Sequence, residues 1–257
     1  MDLGLNNRAV LITGGSKGIG LGCAHAFLRE GARVAIASRD DANLASAGNQ
    51  LGKVVLIKAD LSKSDEAAQM LRQAEAALGP IDVLINSAGA AKRYAPEELN
   101  TQAWHAAMDA KYFTYIHAMD VVLPSMRARK QGNVVNIIGT GGKVASSIHL
   151  PGGAANSALM LASVGLASVY GKFGVRINAI NPGATLTNRI REALELEAAA
   201  KGTTVDKVLE QGQARVPLGR YAEPMDIAAV ALFLASDQAA YVTGAVIPMD
   251  GGVNPII

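Results

Sequence analysis

The chain has one cysteine, Cys23, among 257 residues. No internal disulfide is available, and a lone thiol suits a reducing compartment. Aromatic residues are scarce at 4% while hydrophobic residues reach 50%, which predicts a single domain over 1–257 with an aliphatic, Ala/Gly-rich core. A chain of this length buries enough surface to fold without a disulfide or metal staple. Metal-ligand spacing is missing too: His25, His105 and His117 fall in helical patterns, so no metal is expected. Charge of neither sign dominates, with a formal net charge of +2. The densest basic cluster, Arg127 to Lys130, closes a predicted helix, where cations favour the dipole, and nucleic-acid binding has no footprint. The most apolar long segment, Ala154 to Val169, carries Asn156 and several serines and is shorter than the ~20 residues needed to span a bilayer. It reads as a buried helix, with no membrane partner. The first strand begins at about Arg8 with no signal peptide before it, so the expected location is cytoplasmic.

What is present centres on Val10 to Gly22. Val10-Leu11-Ile12 is an apolar run suited to a buried strand, Thr13-Gly14-Gly15-Ser16 breaks it, and Ile19 opens a helical apolar period. A strand, a glycine turn and a helix N-terminus make an anion site, because the backbone N–H groups and the helix dipole both favour negative charge.

Further apolar runs at Arg33–Ser38, Lys53–Lys58, Asp82–Asn86, Val134–Ile138, Val175–Ile180 and Ala245–Met249 alternate with helical patterns. The alternation predicts an α/β fold: a doubly wound, Rossmann-type, mostly parallel seven-stranded sheet with helices on both faces. Ligands of such sheets bind beyond the strand C-termini at the switch point. Arg39 follows strand two, where an acid would meet the ribose of NAD and an arginine instead suits a 2′-phosphate; Lys17 adds a second cation. Asp60 after strand three suits an adenine amino group, and Asn86-Ser87-Ala88-Gly89 keeps the backbone small near a ribose.

Thr13-Gly-Gly-Ser-Lys-Gly-Ile-Gly20, Asp60, Asn86-Ser-Ala-Gly89, Arg176-Ile-Asn178, Pro182-Gly183 and Asp250-Gly251-Gly252 together resemble the short-chain dehydrogenase/reductase family. The layout is most similar to its β-ketoacyl reductase-like members, over essentially the whole chain. The resemblance implies NADP(H), with NAD(H) less favoured, and cofactor contacts at Gly14, Ser16, Lys17, Gly18, Ile19, Gly20, Arg39, Asp60, Leu61, Asn86, Ala88, Gly89, Asn156, Pro182, Gly183, Thr185 and Thr187. Thr187 would hold the nicotinamide carboxamide. It also implies a homotetramer or homodimer built on the two long helices, and a small-molecule substrate covered by the segment 184–213.

The family's catalytic tyrosine, with a lysine four residues later, is missing. None of the six tyrosines (94, 112, 115, 170, 221 and 241) is followed by a lysine at that spacing. Counting along the resemblance puts the tyrosine position on Gly152, the lysine on Asn156, the serine on Gly139 beside Thr140, and the asparagine on Lys111. Two functions follow. One is an oxidoreductase acting on a carbonyl or alcohol with a rearranged proton donor, drawn from Lys111, Thr140, His149 and Asn156, with Lys143 and Tyr94 nearby. The other is a nucleotide-binding family member without catalysis, serving as sensor or partner subunit. Gly152 and Gly139 predict a larger, less polar pocket, and Lys111 falls on the apolar stripe Trp104, Met108, Tyr115, Ala118 and Val122, which should face the core. An Arg39→Asp variant is expected to reverse the preference for NADP(H) over NAD(H), as read from the two dissociation constants.

Overall fold

The computed structural model describes residues 2–89 and 91–255. Among them seven parallel strands form one sheet in the order β3-β2-β1-β4-β5-β6-β7. In sequence these are β1 (Ala9–Thr13), β2 (Arg33–Ser38), β3 (Val55–Lys58), β4 (Val83–Asn86), β5 (Gly132–Ile137), β6 (Val175–Pro182) and β7 (Val246–Met249). The order reverses between β1 and β4, which places the ligand crevice of a doubly wound sheet above that pair. Both central strands are buried from end to end, as continuous apolar runs require when helices cover both faces.

One face carries α3 (Ser64–Leu78), α5 (Thr114–Arg129) and α6 (Leu150–Gly171), packed through Met70, Tyr115, Met119, Leu123 and Leu159. The other carries α1 (Gly18–Arg29), α2 (Asp41–Leu51) and α9 (Pro224–Ala235), packed through Cys23, Phe27, Leu44, Ile227 and Leu234. Burial pushes the Cys23 thiol pKa up to about 12, so it stays protonated and inert. Helices α7 (Asn188–Lys201) and α8 (Val205–Gln213) close a small core of their own on Leu194, Ala198 and Val208.

Two expectations need correction. The helix α6 has 22 residues, long and apolar enough by length and composition to cross a bilayer, and only one side of it is buried. Asn156 and Ser163 face into the domain while Leu161, at 76% exposed, and Val169 face out. Trp104 is not on the buried face either: it is 41% exposed, and Ala103 and Ala107 are buried in its place. The cause is a π-helical turn, Met108–Phe113, between α4 (Thr101–Ala107) and α5. Its wider turn rotates the upstream residues out of the register that a straight helix would give.

A buried polar row crosses the sheet just below the crevice. The strand register sets Thr13 opposite Asn86 and Asn86 opposite Asn136. Thr13 Oγ1 donates to Asn86 Oδ1 (3.2 Å), Asn86 Nδ2 to Asn136 Oδ1 (2.9 Å), Asn136 Nδ2 to Ser163 Oγ (2.9 Å), and Ser163 Oγ to the Leu159 carbonyl (2.7 Å). An Asn136→Leu variant strands the Asn86 amide and is expected to lose ~2–3 kcal/mol of stability in urea denaturation.

Candidate active site

The glycine loop is shaped by what lies against it. A Cβ on Gly14 would sit 2.7 Å from the Ser87 carbonyl oxygen and 2.8 Å from the Ala88 nitrogen, and its φ is +66°. A Cβ on Gly20 would fall 2.3 Å from the Gly14 oxygen, so only glycine lets α1 start this close to the turn. Gly18 lies against Thr187, whose Cγ2 is 3.3 Å from its Cβ position, so the loop after β6 meets the loop after β1. The helix α1 has no side-chain cap and no acid in its first turn, and Lys17 stands at its N-cap. Its first amides therefore remain available to an anion.

Around this loop the sequence-derived residues take different roles. Ile19 packs on the core, and the Ser16 hydroxyl donates to Ser38 Oγ at 2.9 Å. Arg39 is exposed beyond β2. Burial raises the Asp60 pKa, but hydrogen bonds from Ser62 and the charges of Arg39 and Lys63 outweigh it and keep the carboxylate ionised. The side chain of Leu61 is in the core, so its main chain alone can meet a ligand. The same holds for Asn86, whose amide belongs to the polar row. Ala88 and Gly89 press on the π turn: a Cβ on Gly89 would come 2.1 Å from the Ala110 oxygen. Pro182 is buried, Gly183 packs against Asp250, and the Thr185 hydroxyl donates to the Gly183 carbonyl at 3.3 Å. Thr187 caps α7.

The π turn carries Lys111 into the domain. Its Nζ donates to Tyr115 Oη at 2.7 Å and to the Ile137 carbonyl at 3.2 Å, and lies 4.2 Å above the Tyr115 ring. Tyr115 Oη itself donates to the Ile137 oxygen at 2.5 Å. Burial, aided by the charge of Arg189, lowers the Lys111 pKa to about 7, while burial raises that of Tyr115.

Beside Gly152, where a larger and less polar pocket is expected, stands the ring of His149. His149 is the N-cap of α6 and Gly152 the third residue of its first turn. The imidazole lies over that third position without forming a capping hydrogen bond: its Cε1 and Nε2 lie 2.2 Å and 2.5 Å from where a Gly152 Cβ would be. Its Nδ1 is buried with no partner among the described residues. Burial, then the charges of Arg93, Arg189 and Lys111, lower its pKa below 6.5. Asn156, one turn on, has Nδ2 3.4 Å from the Cβ position of Gly139, and its Oδ1 is also buried without a partner. Thr140 points elsewhere, lining a cavity of about 10 Å³ with Lys143, Asn181 and Asp250, room for a single water. Tyr94 is tied through its backbone N–H to the Ile148 carbonyl at 3.1 Å.

A family model described as enoyl-(acyl carrier protein) reductase matches residues 14–254. The chain belongs to the short-chain dehydrogenase/reductase family. Within that oxidoreductase family it is 33% identical to D-beta-hydroxybutyrate dehydrogenase of Cupriavidus necator, over 96% of this chain and 98% of the relative. It is 32% identical to the 3-oxoacyl-(acyl-carrier-protein) reductase of Chlamydia muridarum, covering 97% and 98%. Family likeness extends to structure: L-sorbose reductase of Gluconobacter frateurii, solved with NADPH and L-sorbose, superposes with a TM-score of 0.95 at 25% identity over 100% of both chains. An actinorhodin polyketide ketoreductase solved with NADPH gives 0.91 at 26%, over 96% and 97%.

The depressed Lys111 pKa has a sign in stability. Between about 7 and 10.5 the unfolded chain holds a proton on Lys111 that the folded chain does not, so stability from this group rises with pH across that window. A Lys111→Met variant is expected to gain ~1–3 kcal/mol at pH 6, with the gain shrinking toward pH 10, by chemical denaturation at each pH.

Proposed function

We propose that the chain is an NADP(H)-dependent oxidoreductase that interconverts a carbonyl and an alcohol, with His149 as its proton donor. The imidazole in the space over Gly152, with one nitrogen unpartnered, carries the reading. Support for the cofactor comes from the glycine-lined loop and uncapped α1, from the cations Lys17 and Arg39, and from the NADPH in the two solved relatives. Residues Ser16 to Gly20 would hold its phosphates, Asp60 and Leu61 its adenine end, Asn86 to Gly89 its ribose, and Pro182, Gly183, Thr185 and Thr187 its nicotinamide end. The unpartnered Asn156 Oδ1 suits a ribose hydroxyl. Bound there, NADPH supplies a hydride.

The chain supplies the rest. His149 in its imidazolium form gives a proton to the carbonyl oxygen and is refilled from solvent; as neutral imidazole it takes the proton back from an alcohol. The charges of Lys111, Arg93 and Arg189 make the imidazolium a stronger acid, as a neighbouring cation does for any proton donor. Helices α7 and α8, with the loop over 184–213, would cover the substrate, since their core is separate from the sheet and their start is fixed by Thr187 against Gly18. The exposed apolar residues Leu161, Val164 and Val169 of α6, with Trp104 of α4 and Phe113 of the π turn that leads into α5, favour a dimer or tetramer. A single buried thiol accords with a cytoplasmic location.

His149→Ala is expected to lose roughly 10²–10⁴-fold in kcat while keeping its NADPH affinity. Reduction should slow and oxidation quicken as pH rises through a midpoint below 6.5. Rates followed at 340 nm with a carbonyl panel test both. Tight NADPH binding with no turnover across the panel returns the chain to the non-catalytic reading.

A further inference from the structure

The turn after β3 is held from two sides. Its residues Asp60 to Lys63 lie between β3 and α3. On the near side the Asp60 N–H donates to Glu66 Oε2 at 2.6 Å, and the Asp60 carbonyl accepts from the Lys63 N–H at 3.0 Å. Asp60 Oδ1 accepts from the Ser62 N–H at 3.2 Å and from the Ser62 hydroxyl at 2.9 Å. Among the described residues nothing donates to Oδ2, so one oxygen of the carboxylate stays open to a ligand.

On the far side the Leu61 carbonyl is met by a distant element. His117 Nδ1 lies 2.9 Å from the Leu61 oxygen, across 56 residues of chain. A carbonyl oxygen only accepts, so Nδ1 carries the proton and donates. It does so in the neutral ring and in the imidazolium alike. His117 sits in the first turn of α5, four residues after Phe113, and the two rings stack at 5.7 Å with 28° between their planes. The stack fixes the plane of the imidazole, while Ala118 and Met119 pack the helix beside it into the core. Leu61 is only 4% exposed, so its side chain anchors the other end of the same contact.

The Leu61–Ser62 peptide is therefore bonded at both of its polar groups. His117 Nδ1–H, the Leu61 carbonyl, the Ser62 N–H and Asp60 Oδ1 form one continuous row. Hydrogen bonds in such a row polarise one another, and each restricts the next. The tilt of this peptide decides where the Ser62 N–H points, and with it which way the Asp60 carboxylate turns.

We infer that His117 is a positioning residue for the adenine end of the cofactor. Through the Leu61–Ser62 peptide it holds the Asp60 carboxylate so that Oδ2 accepts from the 6-amino group of adenine. The assignment rests on the cofactor reading above, in which Asp60 and Leu61 take the adenine. It adds to that reading a residue of α5 that acts through the turn and not on the nucleotide.

The test compares NADPH with its hypoxanthine analogue, in which a carbonyl oxygen replaces the 6-amino group. Binding of each to the full chain is followed by cofactor fluorescence. The parent is expected to bind NADPH at least ~10-fold more tightly, because the analogue offers Oδ2 no donor and sets an oxygen against it. His117→Phe keeps the ring stack and removes the donor, and its ratio is expected to fall to ~3-fold or below. His117→Asn puts an amide N–H near the place of Nδ1 and is expected to restore most of the ratio. Equal weakening of both nucleotides in His117→Phe, with the ratio kept, is a packing effect and overturns the assignment alone. So does an asparagine variant no better than the phenylalanine one, or a parent that binds both nucleotides equally. A parent that binds neither nucleotide overturns the cofactor reading and this assignment with it.

Discussion

The row from Thr13 through Asn86 and Asn136 to Ser163 is the constraint on which the crevice depends. Apolar strands buried on both faces specify their mutual register weakly, because many sliding positions bury similar surface. Hydrogen-bonded amides at matched positions remove that freedom: a slip of one residue would send each amide to the opposite face and leave it unsatisfied. With β1, β4 and β5 locked at one level, the glycine loop, the loop bearing Arg93 and the loop leading to His149 all depart from a common line. The Ser163 hydroxyl then ties α6 to that line, so the helix that carries Gly152 and Asn156 is held to the sheet as well.

A second constraint comes from the π turn. It sets Lys111 under the crevice floor and gives the ammonium two oxygens and a ring face there. Burial without a carboxylate brings the Lys111 pKa down to about 7, so the floor carries a charge that varies with pH near neutrality instead of a fixed one. Gly89 matches this geometry from above, since only a residue without a side chain allows the loop after β4 to rest on the Ala110 carbonyl.

Much of the architecture was legible because periodicity and punctuation agreed. The limits of β2 fall where the apolar run Arg33–Ser38 places them, and β1 and β4 hold the apolar runs that end at the glycine loop and at Asn86. β6 runs on through Asn181 and Pro182 because Pro182 still lies beside Met249 of β7, a pairing that local sequence does not encode. Trp104 was misplaced because a π turn leaves no compositional mark. The glycine loop and the cations after β2 could be located from sequence. That His149 occupies the space over Gly152 was out of reach, because the ring makes no capping hydrogen bond and its place is set by the folded loop around it. The joint action of the Arg93 and Arg189 charges on His149 was out of reach as well: the two lie 96 residues apart in the chain and act on one imidazole only through the fold.

The packing of His149 over Gly152 also couples the two positions. A side chain at 152 would start inside the imidazole, so the ring must turn away before position 152 can carry one. The volume tolerated at one position is therefore set by the rotamer held at the other, and neither can be varied as an independent site.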